Sequence, residues 1–388
     1  MDLTFLIGLH ILGIIALLYF KQKQTQAAEE ARNHPDDKVI RSRYNLTIAP
    51  GQEKSIKIQK LWLFPMRGIM GIEVDHLKVS KFGIKYDREW AIYDKEKLGC
   101  VGQAAEVKLT QFRQRIEKDL ATKQKYLVIS LLESCRDAAP KDVPYELRIP
   151  IRKNLTGDIV DTGKVQGIAE GEVYDRWFSK IIGREVILLR AAPNFKKGLP
   201  MNLMKWGKDE DLTRGFVSKC VLHLVNEAST RDLEKRVLAQ YPDEAERSRI
   251  KVTSMAFRPN ITIDTQFAYE EDRMIEARVG NTMIRLVGYC SRCKAVANNY
   301  ETNDRNPEME PNPTISKYRK HELGTLFGTY HQVDIIESPE QFKRLLPDFE
   351  VPRDRKFDSV YGILRAGDEI KLRVSEQRIE FDPSQQAK

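Results

Sequence analysis

Two cysteines three positions apart, Cys290 and Cys293 in "VGYCSRCKAV", enclose Ser291 and Arg292 in a chain with five cysteines in all. Several chemistries suit that spacing. A structural zinc site needs four ligands, and no second close Cys/His pair supplies the other two. "HELG" at 321–324 is not a zinc-protease helix, because Thr325 stands where the second histidine would be required. A redox dithiol would open a helix after a strand in a βαβ setting, which the flanking chain lacks. Two readings stay open on the residues alone: a pair of inert buried thiols, or one thiolate binding a soft, high-valent metal. An arginine beside such a thiolate favours its charged form by Coulomb attraction.

The elements that must position this pair read mainly as strands. Short runs rich in Ile, Val and aromatics, bounded by turn residues, recur as "IKIQKLWLF", "GIEVDHLKVS", "EWAIYD", "KYLVISLL", "YELRIPI" and "EVILLR". They return after residue 250 as "KVTSMAF", "NITIDT", "TMIRLVGY", "YHQVDII" and "DEIKLRV". Two stretches read as helices. Residues 173–182 place Val173, Trp177, Phe178 and Ile181 on one face, and 227–241 opens with Ser229 as the expected N-cap. Residues 301–314, with three prolines, read as a loop. The pattern predicts an α+β, β-dominated fold of bent or barrel-like sheets, without the regular alternation of a doubly wound sheet.

Length and charge bound the function. A chain of 388 residues, 41% hydrophobic and 31% charged, is long enough for two structural units. Its net charge of +8 is spread along the chain, which points to a solvated basic surface and not to a nucleic-acid partner. Cys100, Cys135 and Cys220 stand alone, so a reducing compartment is expected and the sequons at Asn45, Asn154 and Asn260 are accidental. Residues 3–20 carry no charged side chain except His10 and would span about 27 Å as a helix, near the thickness of a bilayer core. Lys21 and Lys23 follow this run, which places the body on the cytosolic side of a single transmembrane anchor. The expected organisation is anchor 3–20, polar linker 21–57, a first domain at 58–190, a second at 191–376 and a polar tail at 377–388.

Nine segments fall in a telling order: "LFPMRGIMGIEV" (63–74), "KYDREWAIYD" (85–94), "EVYDRWFSKII" (172–182), "VNEASTRDLEKRV" (225–237), "AFRPNITID" (256–264), the C-x-R-C pair, and the closing "TISKYRK", "LFGTYHQV" and "RAGDEIKL". This order resembles the MOSC family (molybdenum cofactor sulfurase C-terminal), and within it the membrane-anchored mitochondrial amidoxime-reducing components. The resemblance implies an N-terminal β-barrel domain followed by a barrel-like MOSC domain with a few helices. It also implies a molybdenum cofactor, Mo-molybdopterin, with Cys293 as the protein ligand to the metal and Cys290 as its supporting neighbour. Arg67, Gly68, Arg88, Asn226, Arg258, Asn260, Ser291 and Arg292 are then the candidate cofactor-binding residues. The alternative for each arginine is a structural ion pair, for instance with Asp87.

The implied activity is reduction of N-hydroxylated, amidoxime-type groups, with electrons from a cytochrome b5 and its NADH-dependent flavin reductase. The implied location is the mitochondrial outer membrane, with the endoplasmic reticulum as the other possibility. Two further readings are a sulfur-carrier or sulfur-transfer protein and a non-catalytic cofactor-binding module. Sulfurase relatives carry a pyridoxal-phosphate domain, for which the polar linker is too short. The sequence departs from the family pattern at Arg67-Gly68, where Lys-Ser is usual, and at Asn226, where serine is usual. It departs again at "CVGQ" (100–103), which lacks an arginine, and at "AVANNYETND" (295–304) after the metal cysteine.

Overall fold

In the first barrel strand, Ile48–Leu63, alternate residues from Ile56 onward point into a core, and there the alternation slips at one bulge. A bulge between Ile58 and Lys60 turns both Ile58 and Leu61 inward and leaves Gln59 and Lys60 outside. The computed structural model describes residues 48–80, 82–137, 139–152, 155, 157–162, 165–192, 196–198, 212–280, 282–335, 362–375 and 381. The expected anchor at 3–20, most of the linker, and the tail apart from Phe381 lie outside the described residues. No helix among the described residues is long and apolar enough to cross a membrane.

Seven strands close into a barrel in the order Leu222–Asn226, Ile261–Ile263, Ile48–Leu63, Glu369–Ser375, Met274–Val279, Thr282–Ser291 and Gly324–Ile335. The last returns to the first, with Leu222 opposite His331 and Leu224 opposite Thr329. Closure leaves neither end of the sheet unpaired. Leu224, Ile261, Ile284, Leu286, Ile370 and Leu372 fill the interior. The helices Glu227–Leu238 and Asn312–Tyr318 pack outside, where Leu233, Val237, Ile315, Phe257 and Phe327 form a second layer.

The chain between residues 85 and 191 builds the other part of the fold. A five-stranded sheet runs Ile159–Asp161, Gln166–Ala169, Val186–Ala191, Trp90–Asp94, Gly99–Cys100, and a three-stranded sheet runs Phe112–Lys118, Lys125–Leu131, Glu146–Pro150. Helix Glu172–Ile182 packs beside them, its Trp177 and Phe178 rings each 5.5 Å from that of Phe112. The two parts are interleaved. The opening strand belongs to the barrel, and strand His76–Ser80 pairs with Gly362–Arg365 near the end of the chain.

Four local expectations change. The strand starts at Ile48, inside the expected linker, because its polar residues pair with Glu369–Ser375: Ser55 faces Lys371 and Lys57 faces Glu369. "KVTSMAF" contains a 3-10 turn at Ser254–Phe257 in place of a strand, ended by Arg258 in the left-handed region at φ 58°. Val173 is 64% exposed, so the buried face of its helix is Trp177, Phe178, Ile181 and Ile182. The N-cap of helix Glu227–Leu238 is Asn226, not Ser229.

Ser229 has another task. Its hydroxyl donates to Glu271 Oε2 at 2.8 Å, beneath the helix, where Glu271 and Asp272 are both buried. Arg319 donates to both oxygens of Asp272 at 2.8 and 3.0 Å, which leaves Glu271 without a cation of its own. Burial, then the Asp272 charge, pushes the Glu271 carboxyl up to about 7. The folded state therefore favours neutral Glu271, and that contribution is lost as pH rises towards 7. Glu271→Gln should be more stable than the parent at pH 8, by on the order of 2–3 kcal/mol. The gap should close near pH 4. Urea denaturation across this range checks it, and a constant gap at all pH values would count against a titrating Glu271.

Candidate functional site

Cys293 is exposed at the end of a barrel strand, two residues past Thr282–Ser291 and just before the 3-10 turn Lys294–Ala297. Cys290 points the other way. It is buried, and its thiol donates to the Tyr330 hydroxyl at 2.7 Å. The Tyr330 ring in turn rests against His223, with centroids 5.3 Å apart. Burial, with Arg292 next, holds the His223 imidazole well below the ordinary histidine range, so the ring is neutral. Gly328 makes room for it: a Cβ there would lie 2.7 Å from His223 Nε2, and the backbone φ of 75° suits glycine.

Three side chains converge with Cys293 on the loop. Arg292 is pinned by its backbone N–H to Thr325 O at 2.8 Å and by Nη1 to Phe257 O at 3.1 Å. Its Nε is buried without a partner among the described residues. Lys219 donates to Ser291 Oγ at 2.7 Å. Burial, then Arg292, pushes the Lys219 ammonium below its ordinary value, and Cys293 opposes this. The Ser291 hydroxyl keeps its own proton, free to donate elsewhere. Lys219 was missed by sequence reasoning, since nothing in "VSKCV" signals that it reaches a serine 72 positions away.

The other predicted residues form the frame behind the loop. Arg88 pairs with Asp87 and donates to Asn260 Oδ1 at 3.2 Å and Arg258 O at 3.3 Å, so the ion-pair alternative holds for it. Asn260 is buried and fully engaged: Nδ2 donates to Trp62 O and Asp87 Oδ1, and Oδ1 accepts from Arg88 and the His223 N–H. Each of its side-chain donors and acceptors therefore already has a partner within the protein. Arg258 donates to Ile69 O at 2.7 Å, and its guanidinium and that of Arg88 lie 4.5 and 4.4 Å from the Phe64 ring centroid.

Arg67 donates to Phe216 O at 3.3 Å. Gly68 adopts φ 86°, and a Cβ there would meet Leu109 Cδ1 at 2.7 Å, so the departure from serine has a packing cause. Asn226 is likewise spent as a helix cap, accepting from Ala228 N and donating to Thr265 Oγ1 at 2.7 Å. Among the described residues, Arg67, Lys219, Arg258 and Arg292 form no ion pair, whereas Asp87 neutralises Arg88. The loop therefore carries excess positive charge beside an exposed thiol.

Residues 55–185 match the family model of the MOSC N-terminal beta barrel domain, and residues 211–371 match that of the MOSC domain. The chain is a MOSC protein. It is similar to the molybdenum cofactor sulfurase of Oryza sativa subsp. japonica, 25% identical over 300 residues that cover 74% of this chain and 34% of that protein. The Homo sapiens molybdenum cofactor sulfurase is 25% identical over 272 residues, 69% of this chain and 29% of that protein. For the Danio rerio molybdenum cofactor sulfurase the figures are 26% over 283 residues, 71% and 32%. The MOSC chain spans about a third of the length of these curated relatives.

Two departures from the MOSC pattern meet in space. Asn298 and Arg305 donate to Gln103 O at 3.3 and 2.7 Å, and the Tyr300 hydroxyl donates to Gln103 Oε1 at 2.8 Å. The changed segment after Cys293 is thus clamped to the changed "CVGQ" turn. Two outcomes check this geometry. Asn260→Ala would take one donor from Asp87 and remove the side-chain partners of Trp62 O and the His223 N–H, and should cost about 3 kcal/mol in chemical denaturation. In cofactor-free protein, a maleimide should label Cys293 quickly. Cys290 and Cys220, the latter pushed up to about 12 by burial, should react only on unfolding.

Proposed function

We propose that this chain binds the molybdenum cofactor with Cys293 as the protein ligand to molybdenum, and reduces N-hydroxylated compounds of the amidoxime type. The observation that carries this reading is the exposed Cys293 thiol set beside Arg292 and Lys219, which no carboxylate among the described residues neutralises. That donor set fits an anionic, sulfur-ligated group. Cys293 offers one soft ligand, the unpartnered Nε of Arg292 offers a buried donor, and the Ser291 hydroxyl offers a third contact. Bound there, the cofactor would supply the two-electron redox chemistry that takes N–OH to N–H, with two protons, and releases water.

The protein's share is positioning and charge. Lys219 holds Ser291 in place and, with Arg292, offsets negative charge on the thiolate side. Arg67 and Arg258 offer remaining N–H groups to the anionic end of the cofactor, while Arg88 and Asn260 keep the frame rigid. Electrons would come from a cytochrome b5 and its flavin reductase. Residues 3–20 would anchor the body to the cytosolic face of a membrane, the mitochondrial outer membrane in this proposal, and so raise its effective concentration near such partners.

A second reading, sulfur transfer through Cys293, is favoured by the names of the sulfurase relatives. One experiment separates them. The full chain, made in a host that supplies molybdopterin, should hold about one molybdenum per chain, and Cys293→Ala on the order of a tenth of that. The loaded parent should convert an amidoxime to the amidine with a chemically reduced electron donor, and the variant should not. Folded, metal-free parent carrying cyanolysable sulfur on Cys293 would instead support the transfer reading.

A further inference from the structure

A cavity of about 870 Å³ lies between the turn at residues 82–87, the hairpin tip at 123–125, the strand end at 190–192 and residues 215 and 217, and neither Cys293, Ser291, Arg292 nor Lys219 lines it. Lys85, Lys123, Lys125, Arg152 and Arg190 line it. Both arginines are already engaged: Arg190 donates to Glu89 at 2.8 and 3.0 Å, and Arg152 pairs with Glu170. The two acids that line the cavity are also neutralised, Asp87 by Arg88 and Glu89 by Arg190. Among the described residues, the three lysines form no ion pair. Two of them share one ring, with the Lys85 and Lys125 ammoniums 5.3 and 5.6 Å from the centroid of Tyr86.

The backbone supports a functional reading of this cluster. Tyr86 and Lys123 both adopt the left-handed region, at φ 68° and 60°, a strain that side chains other than glycine and asparagine seldom accept. Lys123 sits in the turn joining strands Phe112–Lys118 and Lys125–Leu131, where glycine would fit without strain. Keeping a lysine there aims a charge at the cavity. Lys125 is half-buried, and burial, then Lys85, Lys118 and Lys78, pushes its ammonium below the ordinary value. A second hollow of about 450 Å³ shares Lys85, Tyr86 and Lys125 but is also lined by Glu73 and Asp75, which would repel an anion.

We propose that the larger cavity binds a small polyanion of the organic-phosphate class, held by Lys85, Lys123 and Lys125 beside Tyr86. Ammonium groups act on phosphate as point charges, and no guanidinium fork is free here for a planar carboxylate. The volume suits a molecule larger than lone phosphate. The site is independent of how Cys293 is read.

The test is calorimetric titration of the full chain with inorganic pyrophosphate at constant ionic strength. The parent should bind, and Lys125→Gln and the double variant Lys85→Gln/Lys123→Gln should bind at least about tenfold more weakly with unchanged melting temperature. Lys97→Gln, on an exposed turn, and Lys219→Gln, on the cysteine loop, should bind like the parent. Absence of binding by the parent, or loss with Lys219→Gln but not Lys125→Gln, overturns the proposal. So does Lys125-dependent binding to vesicles containing phosphatidylserine without binding to pyrophosphate, which would make the patch a lipid contact.

Discussion

The buried contact between Asp87 and Asn260 is the joint on which the rest of the structure depends. Asp87 accepts from the Phe64 N–H at 2.9 Å, from Asn260 and from Arg88, while Asn260 reaches Trp62 and His223. Four segments far apart in sequence thus meet through one carboxylate and one amide. Such groups are costly to bury unpaired, so each segment has little freedom to move without the others. The joint places Phe64 under two guanidiniums and leads, through His223, Tyr330 and Cys290, to the loop that presents Cys293.

The loop's surroundings show how departures from a family pattern can compensate each other. Gln103 stands in a turn that lacks the usual arginine, and Asn298, Tyr300 and Arg305 stand in a segment of unusual composition. Read singly, each change looks like erosion of a site. Together they make a contact between the two parts of the fold, and Arg113 adds a bond to Tyr300 O at 2.7 Å. Gly68 follows the same logic, since the space beside it is already filled by Leu109.

Much of the barrel was legible because its strands are short runs rich in Ile, Val and aromatics bounded by turn residues, and the C-x-R-C pair stood out by spacing alone. What the sequence hid was long-range. The polar start of strand Ile48–Leu63 looked like linker, since its partner lies some three hundred positions on, at Glu369–Ser375. "KVTSMAF" has strand-like composition but must turn to deliver Arg258. Asn226 and Asn260 were read as ligands because polar residues in a motif invite that reading, yet both are consumed by backbone groups and neighbours. Lys219 could be found only from its place in space.

The pairing of the opening strand with Glu369–Ser375 also sets the order in which the protein can be built. The sheets between residues 90 and 191 find their strand partners within that stretch, so they can assemble while synthesis is still under way. The barrel cannot. Ile48–Leu63 waits with an unsatisfied edge until Glu369–Ser375, some three hundred positions later, has been translated. Loss of Glu369–Ser375 would thus remove a stave of the barrel, and leave a nascent chain with exposed strand edges for chaperones to guard.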